Sequence, residues 1–445
     1  ACIFAEPMNA RAPITRRDLD RLAVPAIVSG IAEPVIALVD TAFVGRLGTA
    51  DLAAVGIGSS FFLLVVWVLS QTRSAVLAVV ARYYGEDRLD RVAGLVPIAV
   101  WMNFGLGLAF FALTSSFAEP IFRLYNAEGE VLEKAVLYFR VRSLGFPVVL
   151  ATFALSGVFR GVQNMRWNMW TSLAGAGVNL ALNPVLIFGL LGFPALGIAG
   201  SAWASLVAQL AMFMLSIAIL ERRTPFSIRP RGWRHPELPS LLGLSGNLFL
   251  RTMALNVCYY LGNRYATRYG DAHIAAHSIA MQIWLFSAFF IDGYAAAGGV
   301  LAGRLNGERN WAELRRVGWQ VVRISVLIGG VLALIYGIAY PWTGPLFSKD
   351  PEVLLLFFGI YWMVILTQPI NAVAFALDGM FKGLGRGALL RNTLLISTFA
   401  VFVPVIWAAD QAGWELYAVW TAFVAWMVAR GGLLAWHFRR VVPGA

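Results

Sequence analysis

Residues Leu22 to Gly45 read LAVPAIVSGIAEPVIALVDTAFVG. At about 1.5 Å per residue this stretch is long enough to cross a bilayer as a helix. It nevertheless carries Glu33 and Asp40. An ionisable group in hydrocarbon costs several kcal/mol unless it faces a partner or a cavity, so each is a candidate functional group. Pro25 and Pro34 each remove a backbone donor from the same span, which makes them candidate hinges. Glu33 and Asp40 are seven residues apart, about two turns, and so share roughly one face. The stretch predicts an acidic, bendable membrane helix lining a cavity.

The surrounding chain agrees. Of 445 residues, 59% are apolar and 13% charged. A soluble protein carries about 25% charged residues, so the composition is that of an all-α integral membrane protein. The net charge of +11 could suggest nucleic acid, but the basic residues fall in short connections between apolar runs, which suits a membrane protein with no nucleic-acid partner. Cys2 and Cys258 are the only cysteines, which argues against a structural disulfide or a cysteine metal site. Met8 to Arg21 is polar and basic and does not read as a cleavable leader, and Met8 is a candidate start.

Twelve helices are expected. They lie at 22–45, 52–80, 92–117, 135–159, 167–191 and 195–220, then at 238–263, 272–302, 317–340, 353–380, 388–409 and 414–438. The organisation is an N-terminal tail (1–21), a six-helix lobe (22–220), a linker (221–237), a second six-helix lobe (238–438) and a short tail (439–445). Most of the 35 Lys and Arg fall in the tails and even-numbered loops. The opposite loops hold only Arg46, Arg123, Lys134, Arg264, Arg268 and Lys349. The positive-inside rule then places both termini in the cytoplasm. The linker carries Arg222, Arg223, Arg229, Arg231 and Arg234, a charge suited to anionic membrane lipid.

The halves are repeats at a constant offset of 222 residues. Arg46-Leu-Gly48 matches Arg268-Tyr-Gly270, and Gly85-Glu86 matches Gly307-Glu308. The best block sets Pro147 and FALSGVFRG (Phe153–Gly161) against Pro369 and FALDGMFKG (Phe375–Gly383). Each half has an even number of spans, so both enter from the same side, and a pseudo-two-fold axis along the membrane normal is expected.

The string EPVIALVDTAFVGRLG (Glu33–Gly48), with YFRVRSLGFP (Tyr138–Pro147), the IDGY around Asp292 and the Phe375–Gly383 block, resembles the MATE multidrug transporters, in particular their DinF-type branch. The resemblance covers nearly all twelve helices. It implies a V-shaped pair of six-helix bundles that exports amphipathic, often cationic organic compounds in exchange for protons or sodium, with no other cofactor. By the same resemblance Asp40 is the ion-coupling carboxylate and a substrate contact, while Ser201 and Tyr138 match an ion-site hydroxyl and a pocket position.

The residue types add to this. Asn179 and Asn183 lie one turn apart on the fifth helix at a depth similar to Asp40, and amide oxygens can ligate a hard cation or bond a carboxylate. The DinF pattern usually has aspartate where Asn183 stands; one carboxylate instead of two favours a proton over sodium. The bland alternative is that Asp40 pairs locally and the amides are interhelical glue. Glu33, near mid-membrane, is a candidate for cations or protons. In the second half Arg251 and Asp292 reach a similar depth and are expected to form a structural pair, and Asp378 is four residues before Lys382, the spacing of a local ion pair. His273 and His277 have metal-ligand spacing but no third ligand motif, so no metal site is expected. Arg73, Arg251 and Arg323 keep open a lipid-precursor flippase of the same superfamily. No P-loop, HExxH or Ser–His constellation is present, which argues against an enzyme. A monomer in the cytoplasmic membrane is expected.

Overall fold

The computed structural model describes residues 13–230 and 232–442; within the first helix the side chains at 33–35 are not described, so Glu33 and Pro34 lie outside the described side chains. Among the described residues all regular structure is helical. Eleven helices are long and apolar enough to cross a membrane, and a bent pair supplies a twelfth span. They are α1 (Arg16–Val44), α2 (Thr49–Gly85), α3 (Leu89–Ser116), α4 (Gly129–Ser143 and Phe146–Gly161, bent by 45°), α5 (Met165–Phe188) and α6 (Gly197–Arg223). The second half continues with α7 (Leu238–Tyr269), α8 (Asp271–Gly307), α9 (Trp311–Ile338), α10 (Pro351–Gly383), α11 (Gly387–Gln411) and α12 (Leu416–Val441). Several run beyond the apolar limits read from sequence, because helices continue past the hydrocarbon into charged turns: α8 ends at Gly307, and α10 begins with Asp350 capping the amide of Glu352.

The chain forms two compact units. The N-terminal unit is Val28–Leu242, and the C-terminal unit comprises Gly243 onward together with the start of α1 up to Ile27. The expected division put residues 1–21 in a tail and began the first lobe at Leu22. The segment leading into α1 and its first turn pack on α8 and α9: Ile14 N donates to Glu313 Oε1 at 2.8 Å, Arg316 Nη2 donates to the Ile14 carbonyl at 2.7 Å, and the Tyr294 hydroxyl donates to Asp20 Oδ1 at 2.8 Å. Pro25 is buried within α1, and the helix runs unbroken through it and through Pro34.

The repeated block has a packing reason. A Cβ on Gly157 would stand 2.5 Å from the Arg73 carbonyl, and one on Gly161 would stand 2.6 Å from Val80. In the other unit a Cβ on Gly379 or Gly383 would strike the backbone of Ala295 and Gly299. In each half, then, the same two glycines let the fourth helix lie against the second at backbone distance. The two halves differ at the preceding proline. Pro147 starts the second segment of the bent α4, whereas Pro369 sits inside a continuous α10. A further difference is in α11, where Ser397–Phe402 form π-helical turns that α5 lacks.

Candidate functional site: a carboxylate in the N-terminal unit

Asp40 is on the last turns of α1 and is 8% exposed. Its Oδ1 accepts a hydrogen bond from Asn183 Nδ2 at 2.6 Å, and its Oδ2 accepts one from Ser205 Oγ at 3.2 Å. Asn183 Nδ2 also reaches Asn179 Oδ1 at 3.0 Å, and Asn179 Nδ2 donates to Ser205 Oγ at 3.2 Å. The four side chains form a closed ring from three helices. Asn179 and Asn183 meet in it because a four-residue spacing stacks them on one face of α5. Every bond to Asp40 is a donated one, so the ring matches an ionised carboxylate. Asn183 Oδ1 is buried with no hydrogen-bond partner among the described residues.

Ser201 is fully buried, but its hydroxyl finds no partner among the described residues; Ser205, one turn further along α6, takes the place at Asp40. The resemblance points to a hydroxyl on this helix at Ser201, and Ser205 lies one turn further along. Tyr138 is buried and bonds Ser59 across a 2.9 Å Oη–Oγ distance. Asp40, Tyr138, Asn179 and Ser205 all line one cavity of about 330 Å³ inside this unit, with apolar walls from Val55, Phe62, Leu63, Val66, Val149 and Met212. Arg142, not singled out in the sequence, also lines it. Its guanidinium lies 4.0 Å from the centre of the Phe62 ring, close enough to Asp40 and Tyr138 to act on both electrostatically. The signal that could have found it is its spacing, one turn after Tyr138.

The C-terminal unit gathers charge differently. Arg251 does not pair with Asp292. Its Nε and Nη2 lie 3.0 and 2.6 Å from Asp378 Oδ1, Arg430 Nη2 adds a contact at 2.9 Å, and Lys382 Nζ sits 2.8 Å from Asp378 Oδ2. Three cations thus surround one carboxylate. Asp292 is exposed on its unit and acts on this cluster only through space. Asp292 and Asp378 are on different helices, and helix rotation, which depth does not report, decides which of them Arg251 meets. The two histidines are also separated in role. His273 Nε2 lies 3.2 Å from Glu415 Oε2, while His277 is fully buried against the rings of Trp420 and Phe423. Among the described residues no group of His, Cys, Asp and Glu could hold a metal ion.

Twelve membrane helices in two sequence-repeated halves, with a hydrogen-bonded carboxylate on the wall of an apolar cavity, define a multi-pass membrane transporter. The chain belongs to the MatE family, whose model matches residues 25–185 and 248–407. It is 30% identical to Protein DETOXIFICATION 44, chloroplastic, of Arabidopsis thaliana, over 94% of this chain and 81% of that protein. It is 26% identical to DNA damage-inducible protein F of Escherichia coli (strain K12), over 94% of this chain and 91% of that protein. A crystal structure of MATE in the bent conformation matches the fold with a TM-score of 0.88 at 21% identity, covering 96% of this chain and 95% of that one.

Proposed function

We propose that this protein is a proton-coupled exporter of amphipathic organic compounds, cations among them, in a cytoplasmic inner membrane with both termini on the cytoplasmic side. Relatives described as probable multidrug resistance proteins, from Bacillus subtilis (25% identical) and Burkholderia mallei (26% identical), favour the multidrug reading. The observation that carries the coupling is the ring at Asp40. As arranged, both carboxylate oxygens accept, and of their two partners only the Ser205 hydroxyl could accept in turn, by turning its own proton away. A proton on Asp40 turns one oxygen into a donor, and the ring must rearrange to receive it. Asn183 Oδ1, which has no partner among the described residues, becomes a second acceptor once that amide rotates.

Rotation of the Asn183 amide withdraws its donor from Asp40 and Asn179 together. Protonation therefore loosens the outer end of α1 from α5 and α6. The cavity wall changes at the same moment, and a cationic compound loses the negative charge that held it. Proton and cation compete for one carboxylate, which is the logic of an exchanger. The protonated state needs no second carboxylate, in keeping with asparagine at 183.

Transport in proteoliposomes tests this. With a pH gradient imposed alone, efflux of a fluorescent organic cation is expected, and with a sodium gradient alone it is not. Full efflux driven by sodium in tight vesicles without a pH gradient would overturn the proton assignment.

A further inference from the structure

One stripe of α9 faces away from the protein along its whole length. Leu327, Leu334 and Ile338 on it are 60%, 64% and 66% exposed, and on a membrane helix so apolar a stripe faces lipid. Towards the start of α9 the same stripe carries Arg315, Trp319 and Arg323, four residues apart, with both arginines exposed. Arg323 lies one turn before Leu327, so its side chain is offered to lipid and not to a water-filled cavity. The end of α12 adds Trp436, Arg439 and Arg440, all exposed. The two helix ends meet there. The Arg439 guanidinium lies 5.6 Å from the centre of the Trp319 ring, and that of Arg440 lies 4.0 Å from the centre of the Trp436 ring. None of these four arginines has an acidic partner among the described residues. The acids nearest Arg315 in sequence are taken, Glu308 by Arg304 and Glu313 by Arg316. An arginine on a lipid-facing surface is costly unless a phosphate meets it or its stem carries it back to water. A guanidinium fork donating in pairs occupies both free oxygens of a phosphodiester, so four forks on one surface exceed what one phosphate can take.

We propose that this surface is a binding site for a phospholipid with two phosphates, of the cardiolipin class. Arg315, Arg439 and Arg440 form an outer level, and Arg323 forms an inner one, about 12 Å further along α9 than Arg315. The glycerol bridge of such a lipid lets one phosphate meet the outer level while the other is drawn towards Arg323. A lipid with a single phosphate serves only one level at a time. Trp319 and Trp436 sit beside the headgroup, as interfacial tryptophans do, and the acyl chains lie on Leu327 and Leu334. The guanidinium faces of Arg439 and Arg440 rest on these rings, which leaves the N–H edges of the forks free to donate. A lipid bound across both helix ends ties α9 to α12 and stabilises the folded protein by mass action. The site lies within the C-terminal unit, and it stands whether or not the cavity at Asp40 exports cations.

The test uses the purified full chain in a neutral detergent, with cardiolipin, phosphatidylglycerol and phosphatidylcholine added separately at matched phosphate. Bound lipid is counted by native mass spectrometry, and the thermal midpoint is followed in parallel. Cardiolipin is expected to bind about 10-fold more tightly than phosphatidylglycerol and to raise the midpoint, while phosphatidylcholine is not retained. Arg323→Gln should weaken cardiolipin by about 5- to 10-fold and leave phosphatidylglycerol nearly unchanged, since the outer level alone serves that lipid. Arg229→Gln removes an equal charge from the linker, outside the site, and should change neither. Wild-type protein that binds the two anionic lipids equally at matched phosphate overturns the proposal, a readout that needs no variant to fold. A loss in Arg229→Gln as large as that in Arg323→Gln would mean general attraction of charge, and overturns it too. So does unchanged cardiolipin binding in Arg323→Gln, which would leave an arginine that only reaches back to water.

Discussion

The two units carry the same repeat, yet the position that holds a carboxylate in one holds a glycine against an aromatic ring in the other. Asp40 in the N-terminal unit corresponds, 222 residues on, to Gly262. At the same offset Asn179, Asn183, Ser201 and Ser205 become Val401, Val405, Phe423 and Met427. The consequence is physical. Where the first unit has a polar ring beside a cavity, the second has Phe423 packed on Phe402, Trp420, Trp426 and His277. A Cβ on Gly262 would stand 2.9 Å from the Phe423 ring, so even alanine is crowded there. The C-terminal unit keeps its carboxylate, Asp378, deeper in the helix pair and fixes it with three cations. One fold thus supports two uses of a buried acid. Asp40 is held by neutral donors that can turn, and Asp378 by charges that cannot leave without cost.

The largest effect is expected from breaking the second arrangement. Asp378→Asn leaves Arg251 and Arg430 buried without their counter-charge and should cost about 3–5 kcal/mol of stability in detergent unfolding. The double variant Arg251→Gln/Asp378→Asn should lose less than the sum of its parts, whereas Arg251→Gln with Asp292→Asn should be close to additive. Coupling in the Asp292 pair instead would mean that the charges are arranged otherwise.

Two substitutions then exchange the character of the equivalent positions. Gly262→Ala should destabilise by about 1–3 kcal/mol through overpacking against Phe423, seen as a lowered thermal midpoint. Asn183→Val, which gives the first unit the side chain that its repeat carries, removes donors from Asp40 and Asn179 at a cost of about 1–3 kcal/mol. It should also end pH-driven efflux in vesicles; retained efflux would show that the ring is not the switch. The smallest effect belongs to the start of α1. Tyr294→Phe loses one part-buried hydrogen bond to Asp20 and should cost roughly 0.5–1.5 kcal/mol in the same unfolding assay.

Much of this comparison was legible in the sequence, and for identifiable reasons. Apolar runs separated by basic loops mark the spans, and the block from Phe153 repeated at Phe375 marks the halves because glycine spacing there governs helix approach. Asp40, Asn179 and Asn183 stood out because polar groups are costly in apolar helices and the two amides are one turn apart. What failed were questions of rotation about a helix axis. Ser201 and Ser205 share a face of α6, Asp292 and Asp378 lie on different helices, and only packing decides which of each pair meets its partner. Arg142 escaped notice because an arginine near a helix end, beside Arg140, reads as interfacial. The place of the first turns of α1 with the C-terminal unit depends on tertiary hydrogen bonds to Glu313, Arg316 and Tyr294, which leave no local pattern.

The central claim is that the proton and the cation meet at Asp40 and nowhere in the C-terminal unit. It is tested most directly by adding a dansyl-labelled quaternary ammonium to protein in weakly buffered solution and following a pH indicator. Proton release is expected from the wild type and from Asp292→Asn, and none from Asp40→Asn that is folded by its thermal midpoint. Release that survives in Asp40→Asn, or that disappears in Asp292→Asn, would contradict the account.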